Sequence, residues 1–210
     1  MVKMAPSGDV GCRYHHKAEV PCDTAWECLE NEVNPEFVMF AIAVSLFLVA
    51  DVESGLKVGE KIPELKVFGV VGDIRDKSAD FARERGDKPT VYLFINAPKF
   101  DRPIARYLRE LDQKLGDVAE NAAIVAVWVG GDLDDNKKRL PLINQSLKFD
   151  RTAMACFEGA APGPNGWGLN DEAHLTTVLA HKGKVIKSFA YRSTNEKDVP
   201  AILAVMKNRK

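Results

Sequence analysis

TVYLFINAPKFDRPIARYLRELDQKLG, residues Thr90 to Gly116, sets two patterns back to back. Thr90 to Ala97 is a continuous run of apolar and β-branched residues, the mark of a strand buried on both faces. From Asp101 the period changes: Ile104, Leu108, Leu111 and Leu115 recur at helical spacing, with arginines and acids opposite. Asp101 suits the N-cap, and Pro103 falls in the first turn, where a missing N–H costs nothing. Gly116 is expected to close the helix. A buried strand feeding an amphipathic helix is the unit from which parallel sheets are built.

The flanking sequence extends the alternation. VGEKIPELKVFGVVG predicts a strand near Leu65 to Val71, and KSADFARERGDKP a short helix ended by Gly86 and then Pro89. AAIVAVWVGG, Ala122 to Gly131, reads as a second buried strand, and DLDDNKKRLPLINQSLK as a helix interrupted by Pro141. TAMACF, Thr152 to Phe157, is a third, weaker strand. The Gly- and Pro-rich loop EGAAPGPNGWGLNDEAH follows. LTTVLAHKGKVIKSFAYRS then predicts a hairpin that turns at HKGK on Gly183, and NEKDVPAILAVMKNRK a terminal helix. The expected fold class is α/β: a mixed sheet with a parallel part and a C-terminal antiparallel hairpin, helices on both faces.

Composition narrows the function classes. The 210 residues, 46% hydrophobic and 28% charged, suffice for one packed domain plus an appendage. Net charge is −1, acids and bases interleave, and no basic stripe or aromatic–basic repeat occurs, so nucleic acid is not an expected partner. The tail KNRK reads as a solvated helix end.

FVMFAIAVSLFLVA, Phe37 to Ala50, is apolar except for Ser45 and shorter than the roughly 20 residues of a spanning helix. A secretory signal core is the preferred reading, with Ala50 or Ser54 before the cleavage site. The acidic WECLENEVNPEF before it and its late position disagree with that. Both objections vanish if translation starts at Met39 rather than Met1. An uncleaved anchor is the alternative; a buried core helix ranks third, because nothing in the segment is amphipathic. The expected organisation is a disordered or mis-annotated leader over 1–36, a signal or anchor over 37–55, and one domain over 56–210. The expected destination is periplasmic or secreted, with membrane attachment only if 37–50 stays uncleaved. Cys12, His15, His16, Cys22 and Cys28 lack the tight cysteine pair typical of zinc sites, so no metal and no cofactor is expected.

The order of elements resembles the thioredoxin fold. Leu56 to Arg209 is similar to its peroxiredoxin-like branch, the alkyl hydroperoxide reductase and thiol-specific antioxidant kind. VGEKIPELKVFGV resembles the opening segment of that branch, GDKPTVYLFINAP its strand before the active helix, and LTTVLAHKGKV its hairpin. The resemblance implies a reactive cysteine in the first turn of the helix, where unpaired amides and the helix dipole stabilise a thiolate. Aligned on the thioredoxin C-G-P-C pattern, this chain has Asp101, Arg102, Pro103 and Ile104. Aligned on the peroxiredoxin P-x-x-x-T-x-x-C pattern, it has Pro98, Arg102 for the threonine and Ala105 for the cysteine. Neither register supplies the thiolate that disulfide exchange or peroxide reduction needs. The resemblance also implies a cis-proline before the hairpin strand. Leu175 stands there, and a non-proline cis bond costs about 2.5–4 kcal/mol, so a trans bond is expected.

Two sets of candidate residues remain. Cys156 is the one thiol after the leader, read as a small buried apolar residue or as an unusual nucleophile. Arg102, Trp167, Asn170 and His174 are expected to share a groove, since the resemblance sets the Glu158–Ala173 loop beside the active helix and long loops are often functional. The plainer account has Trp167 plugging the core edge and Arg102 solvated. The functional expectation is an exported thioredoxin-fold protein without thiol chemistry, a binding or structural module for an unidentified protein or small-molecule partner. The alternative is a divergent thiol-dependent oxidoreductase or peroxidase using Cys156.

Overall fold

The computed structural model describes residues 52–209. The leader over 1–36, the apolar segment 37–50 and the choice between Met1 and Met39 lie outside that range. Residues 52–55, grouped above with the apolar segment, pack onto the domain instead. Val52 is buried, Gly55 donates its N–H to the Gly168 carbonyl at 2.9 Å, and the Ser54 and Thr176 hydroxyls are 2.7 Å apart.

Seven strands form one mixed sheet. In chain order they are β1 (Lys66–Val71), β2 (Lys77–Asp80), β3 (Thr90–Asn96), β4 (Ala123–Val129), β5 (Thr152–Cys156), β6 (Leu175–His181) and β7 (Lys184–Tyr191). Their spatial order is β2-β1-β5-β4-β3-β6-β7. The helices are α1 (Phe81–Arg85), α2 (Arg102–Val118), α3 (Leu133–Leu147) and α4 (Val199–Lys207). Strands β3, β4 and β5 run parallel at the centre, whereas β1, β6 and β7 pair antiparallel to their neighbours. The α/β class and the mixed sheet are thus as expected.

The apolar run of β3 divides its side chains between two cores. Val91, Leu93 and Ile95 face one layer, with Ile124, Ala126 and Trp128 of β4, and are covered by α2, α3 and α4 through Leu108, Leu111, Leu140 and Ile202. Tyr92 and Phe94 face the other, covered by Leu56, Leu65, Phe81 of α1 and Trp167. A strand sandwiched this way has no solvent side, which is why its sequence does not alternate. The steps β3–α2–β4 and β4–α3–β5 both move the same way across the sheet. Right-handed crossovers therefore put α2 and α3 on one face.

Three local expectations are corrected. Lys77 to Asp80 is a strand, not the start of a helix: it pairs antiparallel with β1, Lys66 opposite Asp80 and Gly69 opposite Lys77. Asp80 ends it and caps α1, its carboxylate accepting from Ala82 and Arg83 amides at 3.1 and 3.3 Å. Pro141 does not interrupt α3, because it lies on an exposed part of the helix, where water can satisfy the carbonyl one turn back. Gly116 does not end α2, which continues to Val118. A Cβ at Gly116 would sit 2.6–2.7 Å from Nη2, Cζ and Nε of Arg151, so the glycine makes room for a guanidinium. The hairpin does turn where expected, with Lys182 and Gly183 both at positive φ (54° and 68°).

One buried carboxylate ties α2 to the start of β5. Asp112, 3% exposed, accepts hydrogen bonds from the Asp150 and Arg151 amides at 3.0 Å each and from Thr152 Oγ1 at 2.6 Å. Truncating it leaves three donors without their acceptor, the buried Thr152 hydroxyl among them. Asp112→Ala is expected to lower the unfolding free energy by roughly 3 kcal/mol in urea titrations, and Thr152→Val by roughly 1 kcal/mol.

Candidate functional site

The carboxyl end of β3 leads through a short 3-10 turn, Ala97–Lys99, to the tip of α2. Asp101 caps this helix in extended backbone geometry, its Oδ1 accepting from the Ile104 amide at 3.0 Å and its carbonyl from the Ala105 amide at 3.0 Å. An anion is therefore present at the positive end of the helix, but it is a carboxylate. Ile104 is packed in the helical core, Ala105 is half-buried, and Arg102 is exposed. Asp101, Ile104 and Ala105 leave both registers of this turn without sulfur.

The strand beside the tip is engaged within the sheet. The peptide bond before Leu175 is trans; Ala161–Pro162 is the cis bond among the described residues. Leu175 is fully buried and pairs with Ile95. The preceding His174 accepts from the Asn96 amide through its carbonyl at 3.0 Å and donates its own N–H to the Tyr191 carbonyl at 2.8 Å. Both backbone groups of His174 are thus engaged within the sheet. Its imidazole is held below its ordinary pKa, first by burial and then by the nearby Lys99 ammonium.

A cleft of about 370 Å³ opens at the carboxyl ends of β3 and β4. Asn96, Pro98 and Lys99 form one wall, Gly130 and Gly131 another, and Asn170 with Pro162 the loop side. Lys99 Nζ and Asn96 Nδ2 both donate to the Asp171 carbonyl, at 2.9 and 3.3 Å. The Asn170 amide donates to Ser54 Oγ at 3.0 Å, tying the N-terminal arm to the same wall.

Of the four residues expected to share a groove, only Asn170 lines this cleft. Trp167 is corrected to a core residue: it is fully buried, its ring centroid 5.1 Å from that of Tyr92 and 4.8 Å from that of Phe94, and its Nε1 donates to the Glu64 carbonyl. Arg102 and His174 do not line it. Sequence reading missed Lys99 and the Gly130–Gly131 pair. The signal was present in Pro98-Lys99, immediately after the apolar strand, and in a glycine pair at the end of a parallel strand, where α/β sheets bind ligands.

Cys156 lies at the end of β5, fully buried and unpaired by a disulfide. It shares a cross-strand row with Trp128 and Ile95, so it is two strands, about 10 Å by sheet spacing, from the strand that carries the helix tip. Trp128, whose ring packs 5.5 Å from that of Phe100, stands between. Burial pushes the thiol up to about 11. A nucleophilic cysteine needs exposure and a lowered pKa, and Cys156 has neither. Among the described residues no group of three or more His, Cys, Asp or Glu gathers for a metal, and no helix is long and apolar enough to cross a membrane.

Two outcomes follow for Cys156. Iodoacetamide should modify it far more slowly in the native chain than in urea. Because the folded state favours the protonated thiol, its contribution to stability is complete below the ordinary thiol pKa of about 9 and is lost as pH rises towards about 11. Urea unfolding across that interval should show a decline that Cys156→Ala reduces.

No family model matches the sequence, and no curated protein matches it. Solved structures do. Peroxidoxin BcpB from Mycobacterium tuberculosis is 12% identical with a TM-score of 0.56, over 74% of this chain and 99% of that one. A yeast mitochondrial 1-Cys peroxiredoxin is 15% identical with a TM-score of 0.53, over 72% and 75%. A Chlorobium tepidum protein assigned as the thiol:disulfide interchange protein DsbE is 17% identical with a TM-score of 0.53, over 72% and 99%. With the parallel strand pair, the helix starting at its carboxyl end and the closing hairpin, these likenesses show that the described domain has a thioredoxin-like, peroxiredoxin-like fold.

Proposed function

We propose that this chain is a binding module on a thioredoxin-like fold, not a thiol oxidoreductase or peroxidase, and that its ligand site is the cleft between Lys99 and the Gly130–Gly131 pair. The observation that carries the reading is the Asp101 carboxylate bonded to the Ile104 amide of α2, in the place where a reactive thiol would need that donor. The buried, protonated Cys156 supports it, since an electron-transfer step through a thiolate would have to begin on that sulfur. The cleft offers an ammonium, two side-chain amides and a glycine-lined wall, groups that hold a polar ligand without reacting with it. Its occupant is a protein segment or a small molecule. No cofactor is required.

The same proposal includes export. Residues 52–55 are packed against β6 and the Trp167 loop, which favours processing at Ala50 over Ser54, because removing Ser54 would break its bonds to Thr176 and Asn170. N-terminal sequencing of the native protein tests this: a mature chain beginning at Asp51 agrees with it, and an intact leader contradicts it.

The decisive assay uses the full chain with Cys12, Cys22 and Cys28 changed to serine. Insulin reduction and hydroperoxide consumption should stay at background. Turnover above background that disappears in Cys156→Ser would overturn the reading in favour of the thiol enzyme. Asp101→Cys serves as the converse. It should give a thiol that reacts quickly near neutral pH, because the helix tip still stabilises an anion.

A further inference from the structure

Residues 52–56 form no helix or strand, and single hydrogen bonds fix where this arm lies. The Gly55 amide donates to the Gly168 carbonyl at 2.9 Å. Asn170 makes two further contacts: its amide donates to Ser54 Oγ at 3.0 Å, and its Nδ2 to the Glu53 carbonyl at 3.3 Å. The Ser54 hydroxyl lies 2.7 Å from that of Thr176, which is 2% exposed and, like Asn170, lines the cleft at the helix tip. Gly168 permits the close approach. Its φ is 62°, and a Cβ there would stand 3.0 Å from the Gly55 carbonyl oxygen.

Asn170 passes this anchorage on. Its Oδ1 accepts from the Glu172 amide at 2.9 Å and its carbonyl from the Ala173 amide at 3.1 Å, a turn closed on an asparagine side chain. That turn presents the Asp171 carbonyl, to which Lys99 Nζ and Asn96 Nδ2 donate. Lys99 is the one cation lining the cleft, and among the described residues no carboxylate oxygen lies within 4.0 Å of it. The direction of its ammonium is therefore set by the Asp171 carbonyl.

We infer that Ser54 is a positioning residue for the cleft: through Asn170 and the turn 170–173 it fixes where Asp171 holds the Lys99 ammonium. This role rests on the reading of the cleft as the ligand site and names the part of the chain that aims its cation. The connection between β5 and β6 is rich in glycine and proline and has no strand pairing of its own. Each bond it makes to the arm removes freedom that a ligand would otherwise have to remove. Without the Ser54 hydroxyl, the Asn170 amide loses its acceptor and the buried Thr176 hydroxyl its neighbour. A chain processed after Ser54 would keep every residue that lines the cleft but lose the aim of Lys99, whereas one processed after Ala50 retains it.

Ser54→Ala in the full chain tests this, read by amide hydrogen exchange and by acetylation of lysines. The Glu172 and Ala173 amides bond to no atom of the arm, yet their exchange should quicken about tenfold, the effect of losing one hydrogen bond that supports the turn. Lys99 should be acetylated several-fold faster relative to the exposed Lys148. The Asp150 and Arg151 amides, bonded to Asp112, should keep their protection. Glu53→Ala keeps the carbonyl that Asn170 uses and should alter neither reading. No ligand enters either measurement, so a cleft that takes none would leave these results as stated, and the two ideas fail separately. Unchanged exchange at Glu172 and Ala173, unchanged acetylation of Lys99, equal acceleration at Asp150 and Arg151, or an equal effect of Glu53→Ala would overturn the role of Ser54.

Discussion

The first turn of α2 presents amide groups that no helical carbonyl can reach, and the fold sets them at the mouth of a strand buried on both faces. Something with a lone pair must meet them, and the positive end of the helix dipole favours an anion. Asp101 meets that requirement from within the chain, bonded to the Ile104 amide. The group that meets the helix tip is thus a carboxylate of the chain itself. Around this tip the other features agree. Leu175 packs inward, and the backbone of His174 is engaged on both sides.

Much of the architecture was legible in the sequence because burial on two faces leaves a plain trace. The runs Thr90 to Ala97 and Ala122 to Gly131 contain almost nothing polar, and the alternating four- and three-residue spacing of Ile104, Leu108, Leu111 and Leu115 names the face of α2 that packs. Where the reading failed, a tertiary contact had overridden a local rule. Lys77 to Asp80 carries no strong strand propensity and becomes a strand through pairing with β1. Gly116 looks like a helix stop until Arg151, 35 positions further along, is found lying over it.

The site was legible in part, for a similar reason. The absence of sulfur at the helix tip could be read directly, and so could Asp101 as a cap. Trp167 could not be placed, since a tryptophan in a Gly- and Pro-rich loop has the same sequence signature whether it lines a groove or plugs a core. Its packing against Tyr92 and Phe94 settles the second. Lys99 belongs to the cleft because a loop over seventy residues distant brings the Asp171 carbonyl to it, at 2.9 Å. Such meetings depend on the course of the chain and leave no periodic mark.

Trp128 and Trp167 lie on opposite sides of one sheet, the first among the helical packing and the second beneath the loop. Each layer of the molecule therefore carries its own indole chromophore. With Trp26 replaced as well, selective replacement of one isolates the emission of the other. Loosening of the loop-covered layer ahead of the helix-covered one, or the reverse, then becomes optically separable, and the cooperativity of this protein can be followed layer by layer with its native fluorophores.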